Sequence, residues 1–462
     1  MTSPLYRGLV DRLASDIREG ILPPGGQLPT MRALAEQMGV TVGTIYRAYA
    51  LAEKRGLISR QTGRGTFVRG GAGLSRGAGR GAAGGDRDAV VAGVVDLSRN
   101  EPGALDVAAT LSRSLIALGR DGGLERMLAY GDSQGMPRHR EIFASWIKKR
   151  GYEADSEYMI ITSGAQQALT VSLGALGQSR GGLMVEEFTY PGIKNLARMF
   201  GLELIPIAMD GKGLIPQAFD AACRERDGKI LYCMPSAHNP TTASLTLSRR
   251  VEIADIAARH GVVVIEDDVN PQRPDPPDGE RTRPTIAQLY PANTIYISSL
   301  SKTVAPGLRV GALCAPKTLY PSLLAASQST SWMAPPLMTE LACRWIEEGT
   351  VDQLAAERDA ATQRLHGVAE RCLAGLEVQR DRHNTHLWLK LDPAWTGSDF
   401  AAKAASQGIL VTPGEAFAIE ARQVAPAARV CLSEPDESRL SRALGQLAHF
   451  AKEGPGPVAF QM

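Results

Sequence analysis

The sequence predicts two domains of different class. A small helical domain ending in a β-hairpin comes first, and a large α/β domain on a mostly parallel sheet follows. Three observations predict this. Residues 70–85 read GGAGLSRGAGRGAAGG, from which no core can be built. Before that break, two helical patterns are separated by one glycine and followed by two β runs around Gly63-Arg64-Gly65. After it, continuous apolar β runs alternate with helical patterns, as in a sheet covered on both faces.

Composition bounds the rest. The chain has 462 residues, 44% hydrophobic and 22% charged, enough for a sizeable core. It has no apolar run of about 18 residues, so no membrane span is expected. The first residues carry Asp11, Asp16 and Glu19 and lack the apolar core of a signal peptide. Cys223, Cys233, Cys314, Cys343, Cys372 and Cys431 form no CxxC pair and read as buried thiols. The histidines show no ligand spacing, so no metal is expected, and the cytoplasm is the default address. The net charge of +2 hides a split: residues 1–85 carry 12 Lys/Arg against 5 Asp/Glu, the remainder 39 against 44. A basic segment ahead of a mildly acidic body suggests nucleic acid at one end, although charge alone reads more simply as a solvated surface.

In the first 70 residues, Leu5, Leu9, Leu13 and Ile17 fall at helical spacing, and Leu22-Pro23-Pro24-Gly25 ends that helix. Thr30 is a candidate N-cap for a second helix with Leu34 and Met38 on its apolar face, and Gly39 supplies the turn out of it. Thr41 is the next candidate cap, opening a helix to about Arg55 with Ile45, Tyr49 and Ala50 facing inward. Leu57–Arg60 and Thr66–Val68 make the hairpin, or wing. Helix, short turn, helix is the arrangement that offers its second helix to the major groove.

These residues resemble the GntR-type winged helix-turn-helix, through Pro4-Leu5-Tyr6, Leu28-Pro29-Thr30-Met31-Arg32, Val40-Thr41-Val42-Gly43-Thr44 and Gly63–Val68. The resemblance implies double-stranded operator DNA as partner. Arg32, Thr41, Thr44 and Arg47 would meet it, and Arg64 with Gly65 would approach the minor groove. The chemistry agrees: arginines bind phosphate or read guanine, and helix-terminal amides suit phosphates.

In the large domain the β runs are Tyr158–Thr162, Gly182–Glu186, Lys229–Cys233, Val262–Glu266 and Thr294–Ser298, with helices over Gln166–Leu176 and Arg249–His260 among those between. Parallel sheets bind ligands at the carboxyl ends of their strands. Those ends carry Ser163-Gly164-Ala165-Gln166, Thr189-Tyr190, Asn239-Pro240, Glu266-Asp267-Asp268 and Ser299-Leu300-Ser301-Lys302, with Arg309 beyond. A lone lysine is nearly always a surface charge. One at a strand end, with an arginine nearby and acids on an adjacent strand end, is a candidate Schiff-base lysine.

Together these residues resemble the fold-type I pyridoxal phosphate aminotransferases, from about Asp96 to Phe450. The resemblance implies that fold, with a small C-terminal α+β subdomain, and pyridoxal 5'-phosphate as cofactor. Lys302 would form the internal aldimine, Asp267 would pair with the pyridinium nitrogen, Asn239 would bond the phenolate oxygen, and Tyr190 would stack on the ring. Ala165, Gln166, Ser299, Ser301 and Arg309 would hold the phosphate. Tyr130 would reach the phosphate of a neighbouring subunit, which implies a head-to-tail homodimer. Arg429 would grip a substrate carboxylate with a two-pronged bond. The sequence departs from the family at Val269 and Asn270, where a tyrosine usually donates to the phenolate; this weighs against efficient transamination more than against cofactor binding.

A GntR-type head (1–69), a flexible glycine-rich linker (70–93) and an aminotransferase-like body (94–462) are the layout of the MocR subfamily of bacterial regulators. The expected function is a cytoplasmic, homodimeric transcriptional regulator that senses a small carboxylated amine through an external aldimine. The alternatives are a working aminotransferase with an accessory DNA-binding head, and a regulator that has lost its cofactor.

Overall fold

In the computed structural model the chain divides into two units, Met1–Ala92 and Gly93–Met462. Residues 27–54, 58–61, 65–68, 94–101, 107–176, 181–270, 284–420 and 425–455 are described. The helix expected over Leu5–Ile17, the glycine-rich stretch and Arg64 lie outside them.

In the first unit, Thr30 caps helix α1 (Met31–Met38), its hydroxyl accepting from Ala33 N at 3.3 Å. Gly39 ends the helix at φ 63°, a backbone conformation glycine adopts without strain. Thr41 opens helix α2 (Val42–Lys54), accepting from Thr44 N at 3.3 Å. Strand β1 (Gln27–Leu28) and strand β2 (Ile58–Gln61) flank strand β3 (Gly65–Val68) in an antiparallel sheet, the hairpin anticipated as a wing. Leu28, Ala35, Ile45, Ala48, Tyr49 and Ala52 form the core, and the Tyr49 hydroxyl donates to Pro29 O at 2.9 Å. Two expected core positions are corrected. Ala50 is exposed, because it lies roughly 140° around the helix from Ile45; Ala48 and Ala52 complete that stripe. Met38, the last residue of α1, is also exposed, and Ala35 is buried in that helix instead.

The second unit begins with β4 (Val95–Asp96), which pairs in parallel with β16 (Ile409–Leu410) far along the chain. Its main sheet has seven strands: β5 (Met159–Thr162), β6 (Gly182–Glu186), β7 (Leu204–Ile207), β10 (Gly228–Cys233), β11 (Val263–Asp267), β12 (Thr294–Ser299) and β13 (Gly311–Cys314). The spatial order is β5-β13-β12-β11-β10-β6-β7. All pairings are parallel except those of β13, which is antiparallel to both neighbours. A two-stranded ribbon, β8 (Met209–Asp210) with β9 (Gly213–Leu214), lies outside this sheet.

Both faces are buried, which is why these strands read as continuous apolar runs. Val185, Ile230, Tyr232, Ile265 and Ile297 pack with helix α3 (Ala165–Leu176) on one face. Met184, Leu231, Cys233 and Val264 pack on the other with Phe219 and with Ile253 of helix α4 (Leu247–His260). A smaller antiparallel sheet, β14 (Val378–Arg380), β15 (His386–Lys390), β18 (Ala427–Cys431) and β17 (Thr412–Pro413), forms the C-terminal subdomain. Helix α5 (Glu437–Glu453) covers it with Leu440, Leu444 and Leu447. All six cysteines are free thiols and five are buried. No helix among the described residues is long and apolar enough to cross a membrane.

Candidate cofactor and effector site

The acids at the end of β11 have separate tasks. Glu266 accepts from Ile286 N and Ala287 N, at 3.1 and 2.8 Å. Asp268 accepts from the Tyr296 hydroxyl at 2.5 Å. Asp267 accepts from the Tyr232 hydroxyl at 2.8 Å through Oδ2, while its buried Oδ1 has no partner among the described residues. Burial pushes the Asp267 carboxyl up to about 7, against the pull of the Tyr232 hydrogen bond.

Lys302 follows β12. Its amine is pulled down to about 8, by burial first and then by the nearby Arg429 charge. Nζ donates to Asn100 O.

A helix N-terminus and an arginine meet at the same edge of the sheet. The N-terminus of α3 carries Ala165 and Gln166, and Arg309 Nη2 donates to Ser163 O at 3.0 Å just before that helix. Gly164 sits at φ +78°, and a Cβ there would meet Arg309 Nη2 at 2.9 Å. The positive φ favours glycine here, and the Arg309 guanidinium packs where a side chain would begin. Ser301 N donates to Ser299 Oγ at 3.0 Å, and the Ser299 hydroxyl donates to Ser301 Oγ at 2.9 Å. The Tyr190 hydroxyl donates to Gln166 Oε1 at 3.1 Å. Its ring crosses Gly192, where a Cβ would come within 2.2 Å of Tyr190 Cε1.

Arg429 on β18 joins the C-terminal subdomain to this cluster. It is buried, with its guanidinium carbon 4.8 Å from the centre of the Phe417 ring. Nη1 donates to Asn239 Oδ1 at 2.8 Å, which leaves the amide nitrogen of Asn239 as a donor. Nη2 donates to Ser98 O at 2.6 Å, Nε is buried without a partner, and no carboxylate pairs with Arg429 among the described residues.

The structure thus gathers Asp267, Asn239, Lys302 and Arg429, with Arg309, Ala165, Gln166, Ser299, Ser301 and Tyr190 at the same strand ends. Tyr130 stands apart: it is 88% exposed and meets Trp332 edge-on at 6.4 Å. Asn270 donates through Nδ2 to Ala237 O at 2.6 Å, so its amide is committed to the loop that carries Asn239. Sequence reasoning missed Tyr232, Asn100 and Ser98. Tyr232 carried a signal, a tyrosine within an apolar strand, whereas the other two act through carbonyls and leave none.

In the first unit, Arg32 lies in the first turn of α1 and Gly65 opens β3. Thr41 and Arg47 are exposed, and the Thr41 and Thr44 hydroxyls are 2.9 Å apart.

The chain matches the family "Aminotransferase class I and II" over residues 92–447, and "Bacterial regulatory proteins, gntR family" over residues 5–68. It belongs to the class I and II aminotransferase family and carries a GntR-type helix-turn-helix head. That combination makes it a transcriptional regulator of MocR-like architecture. It is 28% identical over 447 residues to the uncharacterized HTH-type transcriptional regulator YdeF of Bacillus subtilis, covering 94% of this chain and 91% of that one. The 2-aminoadipate transaminase of Thermus thermophilus is 26% identical over 303 residues, 63% of this chain and 74% of that one. Among solved structures, the kynurenine aminotransferase of Pyrococcus horikoshii superposes with a TM-score of 0.70 at 22% identity, over 79% of this chain and 92% of that one. The likeness establishes the fold-type I architecture.

Aminotransferases of this family typically bind pyridoxal phosphate, and the residues here fit it. An unpartnered buried carboxylate oxygen suits a pyridinium N–H, a helix N-terminus with Arg309 suits a phosphate, and a buried amine with lowered proton affinity suits an aldehyde.

Proposed function

We propose that the body binds pyridoxal phosphate at Lys302 to sense a small carboxylated amine, and that this sensing sets how the head holds operator DNA. When bound, the cofactor supplies an aldehyde that condenses with amines and a ring that withdraws electrons. Lys302 holds it and yields its place to the incoming amine. Asp267 keeps the ring nitrogen protonated, Asn239 donates to the phenolate oxygen, and Tyr190 covers the ring. Ala165, Gln166, Ser299, Ser301 and Arg309 hold the phosphate.

Arg429 carries the choice of effector class: a buried guanidinium with an unpartnered Nε and no carboxylate partner among the described residues calls for an anion on the ligand. The Val269–Asn270 pair supports sensing over turnover, since valine has no donor and Ala237 O holds one of the two Asn270 amide hydrogens. Exposed Leu128, Tyr130 and Trp332 support a second copy of the chain as neighbour, and the regulator class supports a cytoplasmic address.

The test is an absorbance titration of the cofactor-loaded protein with amines that carry or lack a carboxylate, followed by an assay with 2-oxo acid acceptors. Carboxylated amines should shift the spectrum persistently. Sustained turnover at about 1 per second or faster would instead make the protein an enzyme first.

On the head, Arg47→Ala should weaken operator binding by about 1–3 kcal/mol if the guanidinium reads a base or a phosphate. Affinity should also fall steeply with salt, as phosphate contacts release counterions. Fluorescence anisotropy on promoter fragments checks both. No DNA binding at low salt by the wild type would defeat the regulator reading.

A further inference from the structure

Tyr232 reaches the site from a neighbouring strand. β10 and β11 run in parallel with Tyr232 opposite Ile265. Side chains alternate along a strand, so Ile265, Asp267 and Tyr232 share one face. The Tyr232 ring is fully buried among Ile230, Ile265 and Val185, and its hydroxyl points up the sheet to Asp267 Oδ2, 2.8 Å away. A buried phenol needs an acceptor, and this one is held by the acid placed for the cofactor. The other carboxylate oxygen, Oδ1, is buried and has no partner among the described residues.

We infer that Tyr232 is a positioning residue for the cofactor: its hydroxyl fixes Asp267 so that Oδ1 alone meets the pyridinium nitrogen, and its hydrogen bond favours the ionised carboxylate. This rests on the pyridoxal phosphate reading above.

The choice of donor matters. A lysine or arginine in this place would neutralise Asp267 and compete with the pyridinium for it. A neutral phenol leaves the full negative charge for the ring while preventing the carboxylate from rotating. Burial alone favours the neutral acid at Asp267, and the Tyr232 hydrogen bond opposes it. Without the hydroxyl, the acid would hold its own proton more tightly and Oδ2 would be a second orphaned oxygen. The ring would then lose the charge-assisted partner that keeps its nitrogen protonated.

The experiment uses the full-length protein loaded with pyridoxal phosphate labelled with ¹⁵N in the ring. Cofactor affinity is read by absorbance titration, and nitrogen protonation by its chemical shift. Tyr232→Phe keeps the ring volume and should bind the cofactor roughly tenfold more weakly, the weight of a hydrogen bond to a charged group. Its nitrogen signal should move toward the neutral form. Replacement of Tyr232 by 3-fluorotyrosine, a stronger donor of the same shape, should keep both wild-type properties; it also serves if the phenylalanine variant does not fold. An unchanged nitrogen signal in Tyr232→Phe overturns the inference, whether or not affinity falls, because packing alone would then explain the residue. A fluorotyrosine protein with a neutral nitrogen overturns it as well. A wild type that takes up no pyridoxal phosphate overturns the cofactor reading itself.

Discussion

Lys302→Ala yields a folded protein that borohydride no longer couples to pyridoxal phosphate, whereas the wild type turns yellow and is labelled at Lys302. The loss of covalent attachment is complete because no other described lysine stands at this strand end. Folding survives: the substitution leaves Asn100 O without its Lys302 donor, a cost of about 1–3 kcal/mol against a typical stability of about 5–15. Attachment in the wild type needs the neutral amine. With the Lys302 amine pulled down to about 8, roughly half is neutral at pH 8, against about 1 in 250 for an ordinary lysine. The rate of attachment should therefore rise with pH and level off above about 8. Mass spectrometry after reduction, with stopped-flow absorbance for the rate, checks both parts. A wild type that stays colourless with the cofactor present would sink the reading.

Arg429→Ala abolishes the response to a carboxylated effector while the protein still couples to the cofactor at Lys302. An effector carboxylate drawn into this buried position without its guanidinium costs about 3–5 kcal/mol, at least two orders of magnitude in affinity. Amines without a carboxylate should bind both proteins alike. Arg429→Lys keeps the charge and loses the planar fork, so it should fall between the two. Spectral titration and operator binding measured together give the result, and an effector held equally well by wild type and Arg429→Ala would show that its carboxylate sits elsewhere.

The parallel strands were legible because a strand buried on both faces must be apolar throughout, and five such runs stood out. β13 was not: Gly311-Ala312-Leu313-Cys314 is short and built of small residues, and its antiparallel direction depends on where the chain turns. The strands of the C-terminal subdomain are only 2 to 5 residues long, too short for alternation to show. In the head, capping threonines and the glycine turn were plain, yet Ala48 was passed over for Ala50 because alanine is neutral to hydropathy and only its angle on the helix decides. At the site, side chains that end strands could be picked out. What could not be seen was register. Nothing within β10 says that the phenol of Tyr232 meets Asp267, since that contact exists only once two strands are aligned. Backbone partners such as Ser98 O, 331 positions from Arg429, leave no trace in residue type.

Ser98 and Asn100 follow directly on β4, the strand with which the second unit begins. Their two carbonyls accept from the groups proposed to meet the ligand, the Arg429 guanidinium and the Lys302 amine. Neither bond is indifferent to occupancy. Under the proposed function, Lys302 would leave Asn100 O to hold the cofactor, and Arg429 would share its guanidinium between Ser98 O and a ligand carboxylate. Filling the pocket would then exchange the hydrogen bonds that fasten residues 98–100 for bonds to the ligand. By reciprocity, whatever displaces residues 98–100 would change the affinity for the ligand.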